Sequence, residues 1–528
     1  MRAPENKCRH DILSSPACAV AGIILLLLSY SPCSRAEEWK ILPRLSLIET
    51  YSDNLRLSSG GSGRGDFVTQ INPGILLNGT GRRFNLTADY TMNNLIYAQN
   101  SDLTRIRQQL SAKGTAELME DFFFVDGTAI IAQQNISLLG PQALNNVNVT
   151  GNRADVRTFN VSPYIRHRFK DFASAELRYG HNIVTSNANL LQNSQADNFS
   201  ALVNSGTDFG KLHWGLSYSH SRIHFDRTDR TVELERSVGN LRYMFTPRFG
   251  LTGMGGYERN SFLSIRGNPS SPTWTAGFVW TPNERTNIVA NAGQRFYGAT
   301  YFAQAIHRTR LTIWNFNYIE EITTFNQQSQ LGSAGSAFGV ANSLNQLLGA
   351  QFPNFSPEII QQNVGLLLGP NFSGSFLVPS NFFTNRLFLQ KRLEASVALN
   401  GVRNTLVLRG FNMSRKAYSP EDVDLDLLGA ANAALLNHTI QTGGTALWSY
   451  RVSQFTTANL TFGYTRFTFP NSERKDDVRL ISTSLTRQFP QILPNLSATI
   501  QYRRNERDSN QGGDYRENAA IAFVNMTF

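Results

Sequence analysis

The sequence predicts an all-β chain, a transmembrane antiparallel outer-membrane β-barrel of about 22 strands (range about 18 to 24), with one long, partly helical external loop. Three observations carry this. Segments of about ten residues alternate apolar and polar side chains, where strands of soluble proteins usually run about five or six. Short and long connections follow one another in turn, as in barrels with short periplasmic turns and longer external loops. The final segment, Glu517–Phe528, puts Ala520, Ala522, Val524, Met526 and Phe528 on one face, because successive strand side chains point to opposite sides. A last strand of this kind lies against lipid and ends in the interfacial aromatic girdle, so Phe528, Met526 and Val524 are the expected residues of barrel closure and assembly.

At the other end, Arg2, Lys7 and Arg9 precede an apolar run from Ala17 to Leu28, followed by Ser34-Arg-Ala36. A basic start, a short apolar core and a small-x-small site read as a cleaved secretory signal over 1–36. The run is too short to span a bilayer as a helix. The barrel is then 37–528, with periplasmic termini and the bacterial outer membrane as its compartment. Cys8, Cys18 and Cys33 all lie in the leader, and a cysteine-free mature chain suits an oxidising compartment. The formal charge is +10; Arg2, Lys7, Arg9 and Arg35 leave with the leader against Glu5 and Asp11, which makes the mature charge +8. For an exported protein that balance points to an anionic surface or solute and away from nucleic acid. A mean hydropathy of −0.27 is what a barrel gives, with half of each strand in water and half in lipid. The strand pattern starts so close to Glu37 that no plug domain of the TonB-transporter kind is expected before it.

The strands show their two faces directly. Phe84, Leu86, Ala88, Tyr90 and Met92 oppose Asn85, Thr87, Asp89 and Thr91. Leu212, Trp214, Leu216 and Tyr218 oppose His213, Gly215, Ser217 and Ser219, and the same split recurs at 458–465 and 495–502. Soluble sandwiches alternate too. Strand length and the aromatics near strand ends decide for the membrane. Short turns read at 79–83, 119–121, 170–172, 210–211, 246–248, 282–285, 308–310, 401–404, 452–455 and 490–494. Long or polar loops read at 52–65, 138–155, 185–196, 420–437 and 505–514. The tightest external connection falls at Arg295–Tyr301.

The segment 326–382 breaks this rhythm on the external side. Ala341–Leu348 and Pro357–Leu368 carry apolar residues at helical spacing. A connection this long with structure of its own is either a lid or lumen constriction, or a mobile external loop. Asp422–Leu436, rich in Ala and Leu, is a smaller counterpart.

Four segments carry a family resemblance: Glu49–Asn54, Gly81–Tyr90, Ala290–Gly298 and His307–Tyr318. They resemble the outer-membrane β-barrel family associated with PEP-CTERM/exosortase systems and exopolysaccharide loci. The resemblance extends over most of the mature chain and is weakest across 326–382. It implies a porin-like barrel and a role in polysaccharide export, with periplasmic polysaccharide-export proteins and the barrel assembly machinery as partners. It brings no catalytic motif and no cofactor.

Nor do the residues themselves assemble an enzyme. A complete Gly-x-Ser-x-Gly, a His-Glu-x-x-His and a phosphate-binding Gly-x-x-x-x-Gly-Lys are absent. His213 and His220 flank Ser217 and Ser219 on one strand, where they read as ordinary polar side chains. Ser52–Asn54 and Gly60–Asp66 read as plain loop rather than as a calcium site, so no metal is expected. The inward wall is more informative. By alternation Arg107, Lys113, Arg166, Arg168, Arg178, Arg295, Arg392 and Arg503 point into the lumen, against Asp89, Glu117, Glu176 and Glu394. Such a wall either attracts an anion, such as an acidic polysaccharide, or braces itself through cross-strand ion pairs. The expected function is a porin-like channel for exopolysaccharide export; the alternatives are a structural barrel that anchors secretion machinery without conducting and, behind it, a barrel enzyme.

Overall fold

The computed structural model describes residues 38–59, 65–187, 193–226, 229–330, 382–493 and 495–528. The leader over 1–36 and the helical stretches expected at Ala341–Leu348 and Pro357–Leu368 lie outside these residues. Twenty-two strands form one sheet. They begin with β1 (Glu38–Ser52), β2 (Asp66–Thr80), β3 (Phe84–Tyr97), β4 (Arg105–Met119), β5 (Phe123–Asn135) and β6 (Arg153–Phe169). Next come β7 (Ala173–Ser186), β8 (Ser194–Ser205), β9 (Leu212–Phe225), β10 (Arg230–Thr246), β11 (Phe249–Ser261) and β12 (Ser271–Asn283). Then follow β13 (Thr286–Arg295), β14 (Gly298–Arg308), β15 (Thr312–Thr323), β16 (Phe388–Asn400) and β17 (Asn404–Ala417). The circuit ends with β18 (His438–Arg451), β19 (Thr456–Phe469), β20 (Arg474–Gln488), β21 (Ser497–Ser509) and β22 (Tyr515–Thr527).

Every strand pairs antiparallel with its sequence neighbours, and β1 also pairs with β22, from Arg44↔Thr527 to Ser52↔Ala519. The sheet therefore has no edge, the condition for a strand structure to stand in lipid. Connections after even-numbered strands are mostly tight, as at 81–83, 170–172, 247–248 and 284–285. Those after odd-numbered strands include 53–65, 136–152, 324–387 and 418–437. Arg295–Tyr301 is indeed a miniature hairpin: Arg295 pairs with Gly298 across Phe296-Tyr297, and Gly298 has φ +108, where a side chain would be strained.

Outward positions are apolar and exposed, among them Leu47, Ile71, Leu216, Trp274, Trp314, Leu460 and Ile500. Exposed apolar surface on this scale needs a non-aqueous partner. Aromatics cluster beside the short turns; Phe209 meets Trp214 at 5.5 Å and Phe172 at 5.4 Å, as in an interfacial girdle. The closing seam has its own clasp at the long-loop end. Asn518 donates its backbone N–H and its Nδ2 to the Asp53 carboxylate, each at 2.7 Å. Ser52 Oγ donates to Glu517 at 2.8 Å. At the opposite end the Phe528 N–H reaches the Pro43 carbonyl at 2.9 Å. Ser52, Asp53 and Asn54 thus serve closure, and sequence reasoning had taken them for plain loop.

Candidate functional site

The lumen divides into two halves of different character. At the long-loop end, three loops fold inward and bury apolar side chains that an external loop would leave in water. Leu138 and Leu144, from the β5–β6 loop, share a core with Phe382, Leu436 and the inward Phe467, Phe469, Val478 and Leu480 of β19 and β20. The described ends of the 324–387 loop reach further. Helix α1 (Phe325–Gln330) packs Phe325 on Phe383, Val156 and Val184, and Asn326 bonds Asn182 at 2.7 Å and Ser194 at 2.8 Å. Asp422–Leu436 is helical in part, through α2 (Leu425–Leu428) and α3 (Ala430–Leu435), with Ala433 buried.

Several charges in this half are buried and paired, as a low-dielectric setting requires, while Arg105 and Arg153 are held by backbone carbonyls. Arg507 meets Asp476 at 2.6 Å, donates to the Leu139 carbonyl at 2.9 Å and also reaches the Gly140 carbonyl. One residue thereby ties β21 to β20 and to a loop from the far wall. Arg474 adds a second contact to Asp476 and one to Leu139. Glu517 accepts from Arg503, Ser52 and Asn148. In the loops, Arg386 lies 3.1 Å from Asp424, which also accepts from Thr384 Oγ and the Asn385 N–H. Burial pushes the Asp424 carboxyl above its ordinary value and the Arg386 guanidinium below its own. Each of the two is therefore poorly tolerated without the other.

At the short-turn end the lumen is open to water. All eight cations expected to face inward lie on the inward series, but six have acidic partners. Arg166 and Arg178 share Glu176, and Arg178 also holds Asp126 at 2.7 Å. Arg295 binds Glu258, Arg392 lies beside Glu394, and Arg503 binds Glu517. Arg107 reaches Asp155 at 3.2 Å, above the point where the β4–β5 ladder ends at Leu110↔Ile131. For these six the bracing reading describes what is seen. Lys113 and Arg168 are exposed and have no acidic partner among the described residues, and Arg242, which sequence reasoning omitted, joins them. His213 pairs with Arg242 across β9 and β10. His213 and Ser217 share a face but stand about 13 Å apart at strand rise, and His220 points the other way. No nucleophile–base contact forms there.

The rim at this end is basic over a wide sector. From β10 to β20 the short turns and their flanks carry Arg248, Arg285, Arg308, Arg310, Arg403, Arg451 and Arg487, all exposed, against Glu284. None of the seven pairs with a carboxylate among the described residues. Their regular recurrence at turns was legible in the sequence.

No family model and no curated protein matches the chain. Solved structures do. The ferric-catecholate import receptor Fiu from E. coli K12 is 10% identical with a TM-score of 0.47, over 94% of this chain and 82% of that one. The siderophore receptor PirA from Pseudomonas aeruginosa is 10% identical at 0.43, over 92% and 80%. The outer membrane channel DcaP of Acinetobacter baumannii is 8% identical at 0.30, over 94% and 99%. The fold assignment itself rests on the closed ladder: the chain is a 22-stranded antiparallel barrel of the outer-membrane type.

Proposed function

We propose that the protein is a porin-like channel of the bacterial outer membrane that passes an anionic exopolysaccharide outward from the periplasm. The observation that carries this reading is the set of exposed cations without a carboxylate partner among the described residues at the short-turn end, Lys113, Arg168 and Arg242 inside and the seven arginines of the β10–β20 rim. Exposed, unpartnered cations attract a polyanion at little cost, and weak multi-site contacts let it move on. The resemblance to barrels of exopolysaccharide loci supports the same solute class. Entry is at the basic end, and passage requires the packed loops to part. No covalent chemistry is involved; the partners are outer-membrane lipid, the barrel assembly machinery and periplasmic polysaccharide-export proteins, after export on a cleaved leader.

Purified protein in planar bilayers tests the channel. Stable, anion-selective conductance that falls on adding an acidic oligosaccharide is expected. Absence of conductance, even after deleting 326–382, would overturn it. A deletion strain scored for surface and periplasmic polysaccharide tests the solute; normal secretion removes the export role and leaves the barrel. A second reading, a non-conducting barrel that anchors secretion machinery, is favoured by one observation, the tightly packed mouth.

A further inference from the structure

One seam of the wall is shorter than its neighbours. The β14–β15 ladder has rungs only from Ala303↔Tyr318 to Arg308↔Ile313. On one side the β13–β14 ladder continues up to Arg295↔Gly298, and on the other β15–β16 continues to Thr323↔Phe388. Gly298–Phe302 and Ile319–Thr323 therefore face each other without a ladder. The remaining rungs cover about 17 Å of strand, or about 13 Å along the axis at a usual tilt, against an apolar band of about 25 Å. The slot thus opens at the height of the outer leaflet, where unpaired backbone groups must find polar partners.

The side chains around the slot are polar and incompletely satisfied. Tyr297 Oη donates to the Glu320 carbonyl at 3.4 Å, filling one place the ladder leaves empty. Tyr297 also accepts from Arg295 at 3.1 Å, and Arg295 donates to Glu258 at 2.7 Å. A continuous chain of contacts therefore leads from the slot edge into the lumen. Glu320 lies on the outward series, with Lys391 at 3.0 Å and a bond from Tyr318. Glu258 and Glu320 are only 2% and 5% exposed. In each, Oε1 is engaged while Oε2 is buried without a hydrogen-bond partner. Glu258 faces the lumen between Arg236 at 3.2 Å and Arg295, so the carboxylate on the membrane side of the slot is Glu320; its free Oε2 calls for a hydroxyl donor, and the outward Tyr301 and Ile322 suit a hydrocarbon chain.

We infer that the β14–β15 slot is a lateral binding site for a glycolipid of the outer leaflet. Its hydroxylated head would donate to Glu320, and its chain would stay in the membrane. The inference goes beyond the channel reading and stands whether or not the lumen conducts.

The test is photocrosslinking with p-benzoylphenylalanine in place of Tyr301 at the slot edge, and in place of Trp274 on the intact β12–β13 seam. The folded barrel is placed in phosphatidylcholine vesicles with and without glucosyl diacylglycerol. The expected result is a glycolipid adduct at 301 about fivefold above that at 274, falling toward the control value in a Glu320→Gln variant. Hydrogen exchange across 319–323 should slow when the glycolipid is present. Equal adducts at both positions, or adducts at 301 indifferent to the head group, would overturn the proposal. So would a Glu320→Gln variant whose barrel remains folded and whose glycolipid adduct is unchanged.

Discussion

The two ends of this barrel solve opposite electrostatic problems with the same residue type. Inside the long-loop end several arginines are buried against carboxylates: Arg507 with Asp476, Arg503 with Glu517, Arg386 with Asp424. Along the β10–β20 sector of the short-turn end, arginines such as Arg242, Arg308 and Arg451 stand in water without a carboxylate partner among the described residues, while Arg82 and Arg83 on the other side share Glu120. The difference teaches that an arginine count says little about attraction for a solute. A buried guanidinium is consumed by the structure that desolvated it, and an exposed one keeps its field.

The comparison can be broken most severely at Phe528. Phe528→Ser should lower the amount of protein assembled into the outer membrane several-fold by immunoblot, because the closing strand loses its interfacial anchor, while the selectivity of what inserts stays the same. A selectivity change at normal surface levels would contradict that division of labour. Asp476→Asn comes next. It strips the partner from a guanidinium only 1% exposed, so a loss of about 3–5 kcal/mol is expected, seen as a lower melting temperature and new external protease cuts within 136–152. Replacing Lys113, Arg168 and Arg242 together by Gln should leave the melting temperature unchanged. It should lower the anion-to-cation permeability ratio in bilayers about two- to fivefold, since exposed charges act on passing ions through the local field. If the same triple change destabilises the barrel, those cations are structural after all. The smallest effect belongs to the exterior pair Arg479–Asp508, 2.6 Å apart but about half exposed on each side. Arg479→Gln should cost less than about 1 kcal/mol by calorimetry.

The wall was legible because alternation is a local signal. Phe84–Met92 announces its two faces without reference to any partner, and antiparallel neighbours inherit the same assignment from the register. The direction of Arg178 and Arg503 could be read for that reason. Their pairing could not, because Asp126 lies two strands away and Glu517 on the next, at heights set by register. The inward loops were the least legible part. Leu138 and Leu144 sit in a stretch rich in Asn and Gln that reads as solvated, and the surface that buries them lies on β19 and β20, more than three hundred residues later. Arg242 was missed for a different reason: it stands near a strand end, where the inward series is hardest to fix.

The clasp between Asp53 and Asn518 joins residues 465 apart in sequence. Closing a loop of that length carries an entropic cost of about 5 kcal/mol, against about 2 kcal/mol for a hairpin of ten residues. Every other seam forms between strands that are already neighbours along the chain. The β1–β22 seam alone joins the two ends of the circuit, so it supplies the longest-range contacts of the fold. The hydrogen bonds of Ser52, Asp53 and Asn518 are then best understood as a lock on the final event of assembly, one that keeps a completed ring from reopening.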